Sequence, residues 1–284
     1  AIREAAGSLL LDVPARRWNR PLAESLGLDP AILPPVFESC AVAGRVSLWA
    51  AAATGLREGI PVVAGAGDNQ CGAAGSGVVR EGLVLATLGT SGVIYAHAGE
   101  PRADTRPAHE PDCGRAHLMC AADGTAEAPG GWSITGCVLS AAGALQWARE
   151  VIAPTVPYDV LMHEASLAPP GCEGLRFLPH LAGERAPFAD PEARGGWIGL
   201  SLRHGRGHLV RSVLEGVTAT MAMVLRIVGD LPVPVDRVRL GGGGNRSELW
   251  RRMQADLYGV PVASMNVEEG PAFGAALMAG VGSG

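Results

Sequence analysis

The sequence predicts an α/β protein built in layers. Two apolar segments, 83–88 and 93–96, flank a short Gly-Thr-Ser-Gly turn at 89–92, which is the spacing of a β-hairpin. Strand-like and helix-like segments then alternate between about residues 208 and 280. Hairpin strands followed by strand–helix alternation are typical of an α/β layered domain, so we expect this fold class.

The elements before the hairpin follow from turn chemistry. Residues 47–56 are rich in alanine and are closed by glycine, which predicts a helix. The apolar segment 61–64 predicts a short strand. The glycine-rich turn 65–70 follows it and should open an Ala/Gly helix that extends through Gly77.

The elements after the hairpin follow from periodicity. A third strand is predicted at 117–122, and residues 134–151 carry apolar side chains at helical spacing, which predicts a helix. Residues 154–191 contain seven prolines and predict a long irregular region. The last predicted elements are a helix at 208–228, a strand at 235–240, a helix at 247–258, a strand at 260–264 and a helix at 270–280.

Composition excludes several functional classes. Hydrophobic residues make up 48% of the 284 residues, yet no run approaches the roughly 18 apolar residues of a membrane span. The start of the chain has no charged leader followed by an apolar stretch, so no signal peptide or membrane is expected and the protein should be cytoplasmic. The net charge of −5 and the dispersed basic residues argue against nucleic acid as a partner.

All 23 cationic residues are Arg and none is Lys, which excludes the phosphate-binding lysine of a Walker loop. Any phosphate must therefore be held by backbone N–H groups, hydroxyls, Arg or a metal ion. The six cysteines form no Cys-x-x-Cys pair and predict reduced thiols. Cys113, His117 and Cys120 form one metal-like cluster, but no fourth ligand accompanies them, so no protein-held metal is expected.

The first segment that could contribute to catalysis is Gly65–Gly77, where Asp68 lies at a strand-to-helix turn. Flanking glycines would let other groups approach the carboxylate closely, as a general base requires. Taken alone, Asp68 is better explained as a helix N-cap. Gly65-x-Gly67 also resembles the start of a dinucleotide fingerprint, but the spacing that follows does not complete it.

Two further segments could bind a nucleotide. In Leu88–Gly92, consecutive N–H groups and two hydroxyls could form an anion-binding nest, although an ordinary hairpin turn also needs these glycines. In Leu240–Ser247, four consecutive glycines follow a strand and precede a helix. Close approach by a ligand would account for their entropic cost, and crowding between strand and helix is the alternative.

Taken together, these segments resemble the FGGY family of carbohydrate kinases over nearly the whole chain. The Glu-Arg-x-Pro and Asp-Pro-x-Ala-Arg-Gly motifs are most similar to those of its xylulokinase branch. The motifs that carry the resemblance, in chain order, are Gly67-Asp68-Asn69, Gly72–Gly77, Leu88–Gly92, Phe177–Pro187, Asp190–Gly195, Gly199–Ser201, Arg211–Val217 and Trp250–Asp256.

The resemblance implies an actin-like, ribonuclease-H-like fold of two domains, with ATP, Mg²⁺ and a sugar meeting between them. Residues 1–76 would be the tail of a truncated first domain and residues 77–284 the second domain. The implied reaction is phosphorylation of D-xylulose to D-xylulose 5-phosphate, with a homodimer as a candidate assembly. The alternatives are another FGGY substrate (ribulose, gluconate or glycerol) and a non-catalytic nucleotide-binding module of the actin-like superfamily.

The resemblance also assigns roles to individual residues. Asp68 would be the catalytic base and contact the substrate, and Asn69 would contact the sugar. The ATP-binding residues that it implies are Thr90, Ser91, Gln146, Gly242, Gly243 and Ser247.

Some family features differ or are missing. Phe188 and Ala186 stand where the family usually has His and Thr, which bears on the choice of sugar. The family's N-terminal phosphate loop is not found, and Asp123-Gly124-Thr125 is interpreted as an ordinary turn. We therefore expect residues upstream of Ala1, and we expect the 284-residue chain alone to transfer little phosphate.

Overall fold

The computed structural model describes residues 1–105, 115–265 and 270–284. The helices are α1 (Ile2–Gly7), α2 (Arg20–Ser25), α3 (Leu48–Thr54), α4 (Asp68–Gly75), α5 (Ala142–Ile152), α6 (Tyr158–Leu167), α7 (Arg206–Asp230), α8 (Glu248–Tyr258) and α9 (Gly270–Ser283). The strands are β1 (Leu11–Asp12), β2 (Arg17–Trp18), β3 (Val42–Arg45), β4 (Pro61–Val63), β5 (Gly82–Leu88), β6 (Gly92–Ala98), β7 (His117–Cys120), β8 (Trp132–Val138), β9 (Arg176–Leu178), β10 (Gly196–Ile198), β11 (Val235–Gly241) and β12 (Val262–Ser264).

A six-stranded mixed sheet forms the centre, in the order β12-β11-β5-β6-β8-β7. Strands β12, β11 and β5 run parallel, whereas β5, β6, β8 and β7 pair antiparallel. The predicted hairpin is confirmed: β5 and β6 pair from Val84–Ala96 to Leu88–Gly92. The parallel half of the sheet is formed by alternating strands and helices, in the chain order β11, α8, β12 and α9, as predicted from the sequence.

Helix α7 covers one face of the sheet. It packs against β6 and β8, and Val224 fills the space that a side chain at Gly136 of β8 would need. By length and composition alone α7 could cross a membrane, since its most apolar window has a mean hydropathy of 1.4. However, 61% of that window is buried inside the protein, because α5, α6 and α8 pack around it. Helix α7 therefore serves as the main core helix.

Helix α4 lies on the opposite face, where Ala73 clusters with Leu85 and Tyr95, and glycines allow α9 to approach α4 closely. A Cβ on Gly75 of α4 would collide with the backbone of Gly270, and a Cβ on Gly274 of α9 would collide with the Cys71 carbonyl. Gly72 faces Leu85 of β5. The Gly-Ala-Ala-Gly pattern of α4 is thus explained by helix–helix and helix–sheet packing.

Residues before α4 attach to this core through Arg16. Its guanidinium makes an ion pair with Glu38 at 2.6 Å, and both side chains are largely buried. It also donates to the carbonyls of Gly130 and Gly131 and lies 4.7 Å from the centre of the Trp132 ring. These contacts tie the segment before α4 to the start of strand β8.

The structure corrects two predicted elements. The helix expected at 134–151 is wrong in its first part, because β8 occupies 132–138 and α5 starts only at Ala142. The region 154–191 is not wholly irregular, since it contains α6 and β9. The polar, proline-containing stretch 99–115 is predicted as a loop from its sequence, and residues 106–114 of it lie outside the described residues.

Candidate active site

A cleft of about 610 Å³ opens where the two halves of the sheet meet. One wall is formed by the N-terminal ends of α4 and α9, and the other by the β5–β6 turn and the end of β11. The cleft brings together five of the predicted site residues, which are Asp68, Asn69, Ser91, Gly242 and Gly243. Segments more than 170 residues apart in the chain thus meet at one place.

Asp68 is the first residue of α4, and its side chain is exposed in the cleft. The N-cap position is taken by Gly67, and no side chain caps this helix. One carboxylate oxygen of Asp68 accepts the N–H of Asn69 at 2.8 Å, and the other has no hydrogen-bond partner among the described residues. The N-cap interpretation of Asp68 is therefore wrong, and a free carboxylate oxygen remains in the cleft.

The β5–β6 turn presents Ser91 to the cleft. Its backbone is held from behind by the start of α5: Thr90 O accepts the N–H of Ala141 at 2.9 Å, and Gly89 O accepts that of Ala142 at 2.8 Å. The Gly89 N–H donates to Ser91 O at 3.0 Å and is used within the turn. Thr90 is exposed but does not line the cleft.

The glycines of the turn after β11 fall into two kinds: those at which neighbouring protein atoms exclude a side chain, and one that faces open space in the cleft. Gly242 has φ +82°, and a Cβ there would lie 2.6 Å from the Leu88 carbonyl oxygen. A Cβ on Gly244 would lie 2.8 Å from Leu88 Cβ. Packing explains these two glycines. A Cβ on Gly243 would meet nothing within 4 Å, and this residue lines the cleft, so its surface is open to a ligand.

Two further predicted ATP-binding residues do not line the cleft. The Ser247 hydroxyl accepts the N–H of Trp250 at 3.3 Å and caps α8. Gln146 is exposed on α5, and its amide donates to Glu150 at 2.9 Å. Neither side chain is directed to the cleft by its contacts in this structure.

Sequence reasoning missed several cleft residues, namely Thr87, Asn245, Arg246 and Ser264. Asn245 is buried, donates to Gly241 O and accepts from Gln254 Nε2 at 2.9 Å, which fixes the end of the glycine turn. Thr87 pairs with both Val93 and Gly241 across the sheet. Alternate side chains of a strand lie on the same face, so Thr87 shares the face of Leu85. That spacing is the sequence signal that could have identified Thr87 as a cleft residue.

Asp123 lies outside the cleft lining, in a pair with His97 at 2.8 Å. Burial alone would raise the pKa of Asp123, but the hydrogen bond and charge of His97, with the Gly131 N–H, lower it below its ordinary value. Asp123 therefore anchors the turn at 123–131 structurally.

The cleft suits a nucleotide with its metal ion. Asp68 is the acidic residue of its described lining, and Mg²⁺ is commonly held by one or two carboxylates together with substrate phosphates. Among the described residues there is no group of three His, Cys, Asp or Glu that could hold a metal by itself. Cys113, part of the one cluster noted in the sequence, lies outside the described residues.

Family models match almost the whole chain. The model described as "FGGY family of carbohydrate kinases, C-terminal domain" matches residues 84–283, and the corresponding N-terminal domain model matches residues 2–75.

Curated relatives include sugar kinases of several bacteria. The xylulose kinase of Bacillus subtilis (strain 168) is 34% identical over 281 residues, which cover 99% of this chain and 54% of the relative. The xylulose kinase of Escherichia coli (strain K12) is 36% identical over 278 residues, 97% of this chain and 54% of the relative. A gluconokinase of Bacillus subtilis is 29% identical over 285 residues, 96% and 53% respectively. The chain spans about half the length of these relatives.

Solved structures share the fold. A crystal structure of a xyloylose kinase from Brucella ovis superposes with a TM-score of 0.86 at 32% identity, over 99% of this chain and 55% of that one. The xylulose kinase from Rhodospirillum rubrum gives a TM-score of 0.85 at 31% identity, over 97% and 53%. The predicted α/β, actin-like fold is confirmed. With the family models matched and the fold shared, the chain belongs to the FGGY family of carbohydrate kinases.

Proposed function

We propose that the protein is an ATP-dependent kinase that phosphorylates D-xylulose to D-xylulose 5-phosphate. The observation that carries this proposal is the Asp68 carboxylate, which lines the cleft with one oxygen free of protein donors among the described residues. The relatives named xylulose kinase, at 34% and 36% identity, support the choice of sugar. Residues 1–76 would belong to a first domain and residues 77–284 to the second.

In the proposed reaction, Asp68 accepts the proton of the sugar hydroxyl. The hydroxyl oxygen forms a bond to the γ-phosphorus of ATP, the bond from that phosphorus to the β–γ bridging oxygen breaks, and ADP leaves. Positioning of the reactants and stabilisation of the transition-state charge supply most of the rate enhancement in enzymatic phosphoryl transfer. Asn69, next to the base and in the cleft lining, would contact the sugar.

The nucleotide would lie along the glycine turn and the β5–β6 turn. Gly243 offers an open surface for the adenosine, and Ser91 offers a hydroxyl for phosphate oxygens. Asp68 would help to hold Mg²⁺ together with the phosphates of ATP, and the ion would neutralise developing negative charge. None of the other predicted ATP-binding residues lines the cleft, namely Thr90, Gln146 and Ser247. They would contact ATP only if their side chains moved, and otherwise they would support the residues that line the cleft.

A coupled assay of ADP release tests the proposal, using the 284-residue chain and the same chain within its complete open reading frame. We expect the longer protein to turn over D-xylulose with the highest kcat/KM among D-xylulose, D-ribulose, gluconate and glycerol. We expect little turnover from the 284-residue chain. Absence of ADP release with every sugar would reject the kinase proposal.

Gluconate is the second candidate substrate, because a gluconokinase is also among the relatives at 29% identity. The same assay separates the two: a kcat/KM for gluconate above that for D-xylulose would replace the proposed substrate and leave the reaction unchanged. A non-catalytic nucleotide-binding role is less well supported, because Asp68 has no capping function that would otherwise explain it.

A further inference from the structure

The loop between β9 and β10 is fastened to the end of β8 by a buried carboxylate. Glu184 is only 3% exposed. It accepts the N–H of Leu139 at 2.9 Å and that of Arg185 at 3.0 Å, and it contacts His180 Nδ1 at 2.8 Å. A buried carboxylate with three partners holds its surroundings rigidly. The residue that follows it, Arg185, is therefore presented from a fixed backbone.

Arg185 lies beside β8, which pairs with the cleft-lining strand β6. The N–H of Ala186 donates to the carbonyl of Cys137 at 3.1 Å, and Cys137 pairs with Val93, a lining residue of the cleft. A Cβ on Gly136 would lie 3.7 Å from Ala186 Cβ on the face covered by α7. Cys137 follows Gly136 on β8, so its side chain lies on the sheet face opposite α7, which is the face of Val93 and the cleft.

The guanidinium of Arg185 is exposed and forms no ion pair with any carboxylate of the described residues. Its charge nevertheless acts on neighbours along the cleft face of the sheet. Burial lowers the pKa of His117, and Arg185 lowers it further. Burial raises the pKa of Cys137, while Arg185 and a hydrogen bond from Ser91 oppose this rise and Glu184 adds to it. The charge of Arg185 and the hydroxyl of Ser91 thus both act on the Cys137 thiol.

We propose that Arg185 stabilises the negative charge of the phosphoryl group as it passes from ATP to the sugar hydroxyl, acting across the cleft from Asp68. This inference rests on the proposed function. The chain has no Lys, so protein charge compensation at the phosphates must come from Arg. Arg246 lines the glycine-turn end of the cleft. Arg185 lies outside that lining and would reach the phosphates from beside Cys137, on which its charge acts. A planar guanidinium suits bidentate contact with two phosphoryl oxygens.

The test compares R185A, R185K and R226A in the complete protein, with D-xylulose and ATP. Arg226 is an exposed arginine on α7 and serves as the matched control. We expect R185A to lower kcat by about 10²- to 10³-fold, as for loss of one charge-stabilising donor. The KM for each substrate should change by less than about 3-fold, because the charge develops in the transition state. R185K should recover part of the rate, and R226A should match the wild type.

A second measurement guards against misfolding. Binding of D-xylulose 5-phosphate should weaken at least about 10-fold in R185A, whereas binding of D-xylulose should not change, and the melting temperature should stay within about 2 °C of the wild type. A kcat for R185A within about 3-fold of R226A would overturn the inference while leaving the kinase intact. A raised KM for D-xylulose at unchanged kcat would also overturn it. A wild type without any turnover would reject the proposed function itself.

Discussion

Two glycine-rich segments reach the same cleft, and they use glycine for different purposes. In the segment Gly65–Gly77, a side chain at Gly75 would strike the backbone of α9. In the turn Gly241–Gly244, a Cβ added to Gly243 would have no protein atom within 4 Å, and Gly243 lines the cleft. The first segment is glycine-rich mainly for helix packing, and it places one acidic side chain, Asp68, at its tip. The second exposes backbone itself.

The comparison shows that glycine content alone does not identify a ligand site. What separates the two cases is the surroundings of each missing Cβ. A glycine that faces protein atoms should affect stability when replaced, whereas a glycine that faces the cleft should affect binding. Each region can therefore be tested by a substitution and by a neighbouring control in the same element.

The largest expected effect concerns Asp68. Asp68→Asn keeps the volume of the side chain but removes proton acceptance, so kcat with D-xylulose should fall about 10²- to 10⁴-fold. The melting temperature should change little, because Asp68 does not cap α4. Steady-state kinetics and thermal melts of the complete protein measure both quantities.

Asp68→Ala is the companion variant. Because Gly67 occupies the N-cap, the Ala variant should lose only the bond from the Asn69 N–H, and its free energy of unfolding should stay within about 1 kcal/mol of that of the Asn variant. Near-normal turnover by the Asn variant would show that Asp68 is not the base. A much lower stability of the Ala variant alone would restore a structural role.

The next effect concerns the contact between α4 and α9. Gly274→Val should destabilise the protein by about 3 kcal/mol or more, because its side chain would overlap the Cys71 carbonyl. Urea denaturation monitored by circular dichroism measures the loss. Gly280→Val in the same helix is the control, since a Cβ at Gly280 meets nothing within 4 Å. Equal destabilisation by both variants would contradict the packing explanation.

The smallest expected effect is on nucleotide affinity. Gly243→Val should weaken ATP binding about 10-fold without lowering the melting temperature, because the added side chain occupies open space in the cleft. Gly242→Val should instead lower the melting temperature, since φ +82° and the Leu88 carbonyl exclude a side chain there. Calorimetry with ATP and thermal melts distinguish the two. A Gly243 variant that melts early but binds ATP normally would contradict this division.

Most of the fold follows from local sequence signals, and its errors have a physical origin. The boundary between β8 and α5 was missed because buried apolar positions continue at spacings of three and four across it. These positions are Ile134, Val138, Ala141, Leu145 and Ala148. Strand β8 lies inside the sheet, so its pattern lacks simple alternation. Helix α6 was missed because Pro157 at its start was interpreted only as a breaker.

The site residues that could be predicted are those that lie within a single recognisable sequence motif. Asp68, Ser91 and Gly243 each lie in a turn with a recognisable sequence, and the structure brings them together. Arg185 lies in the Glu-Arg-x-Pro motif, but the role we propose for it could not be found this way, because its place depends on the buried Glu184 and on the pairing of β8 with β6. Ser247 satisfied a helix-start signal as well as a ligand expectation, and the structure shows it as the cap.

The order of strands in the sheet bears on how the chain is synthesised. Strands β5 to β8 are complete by Val138, but β11, which covers the other side of β5, begins only at Val235. At about 5–20 residues per second, the apolar strand β5 remains an open edge on the ribosome for about 5–20 s. An uncovered edge strand of this kind invites pairing with other chains. Since the cleft lies at the β5–β11 junction, the cleft is completed only after this exposed interval ends.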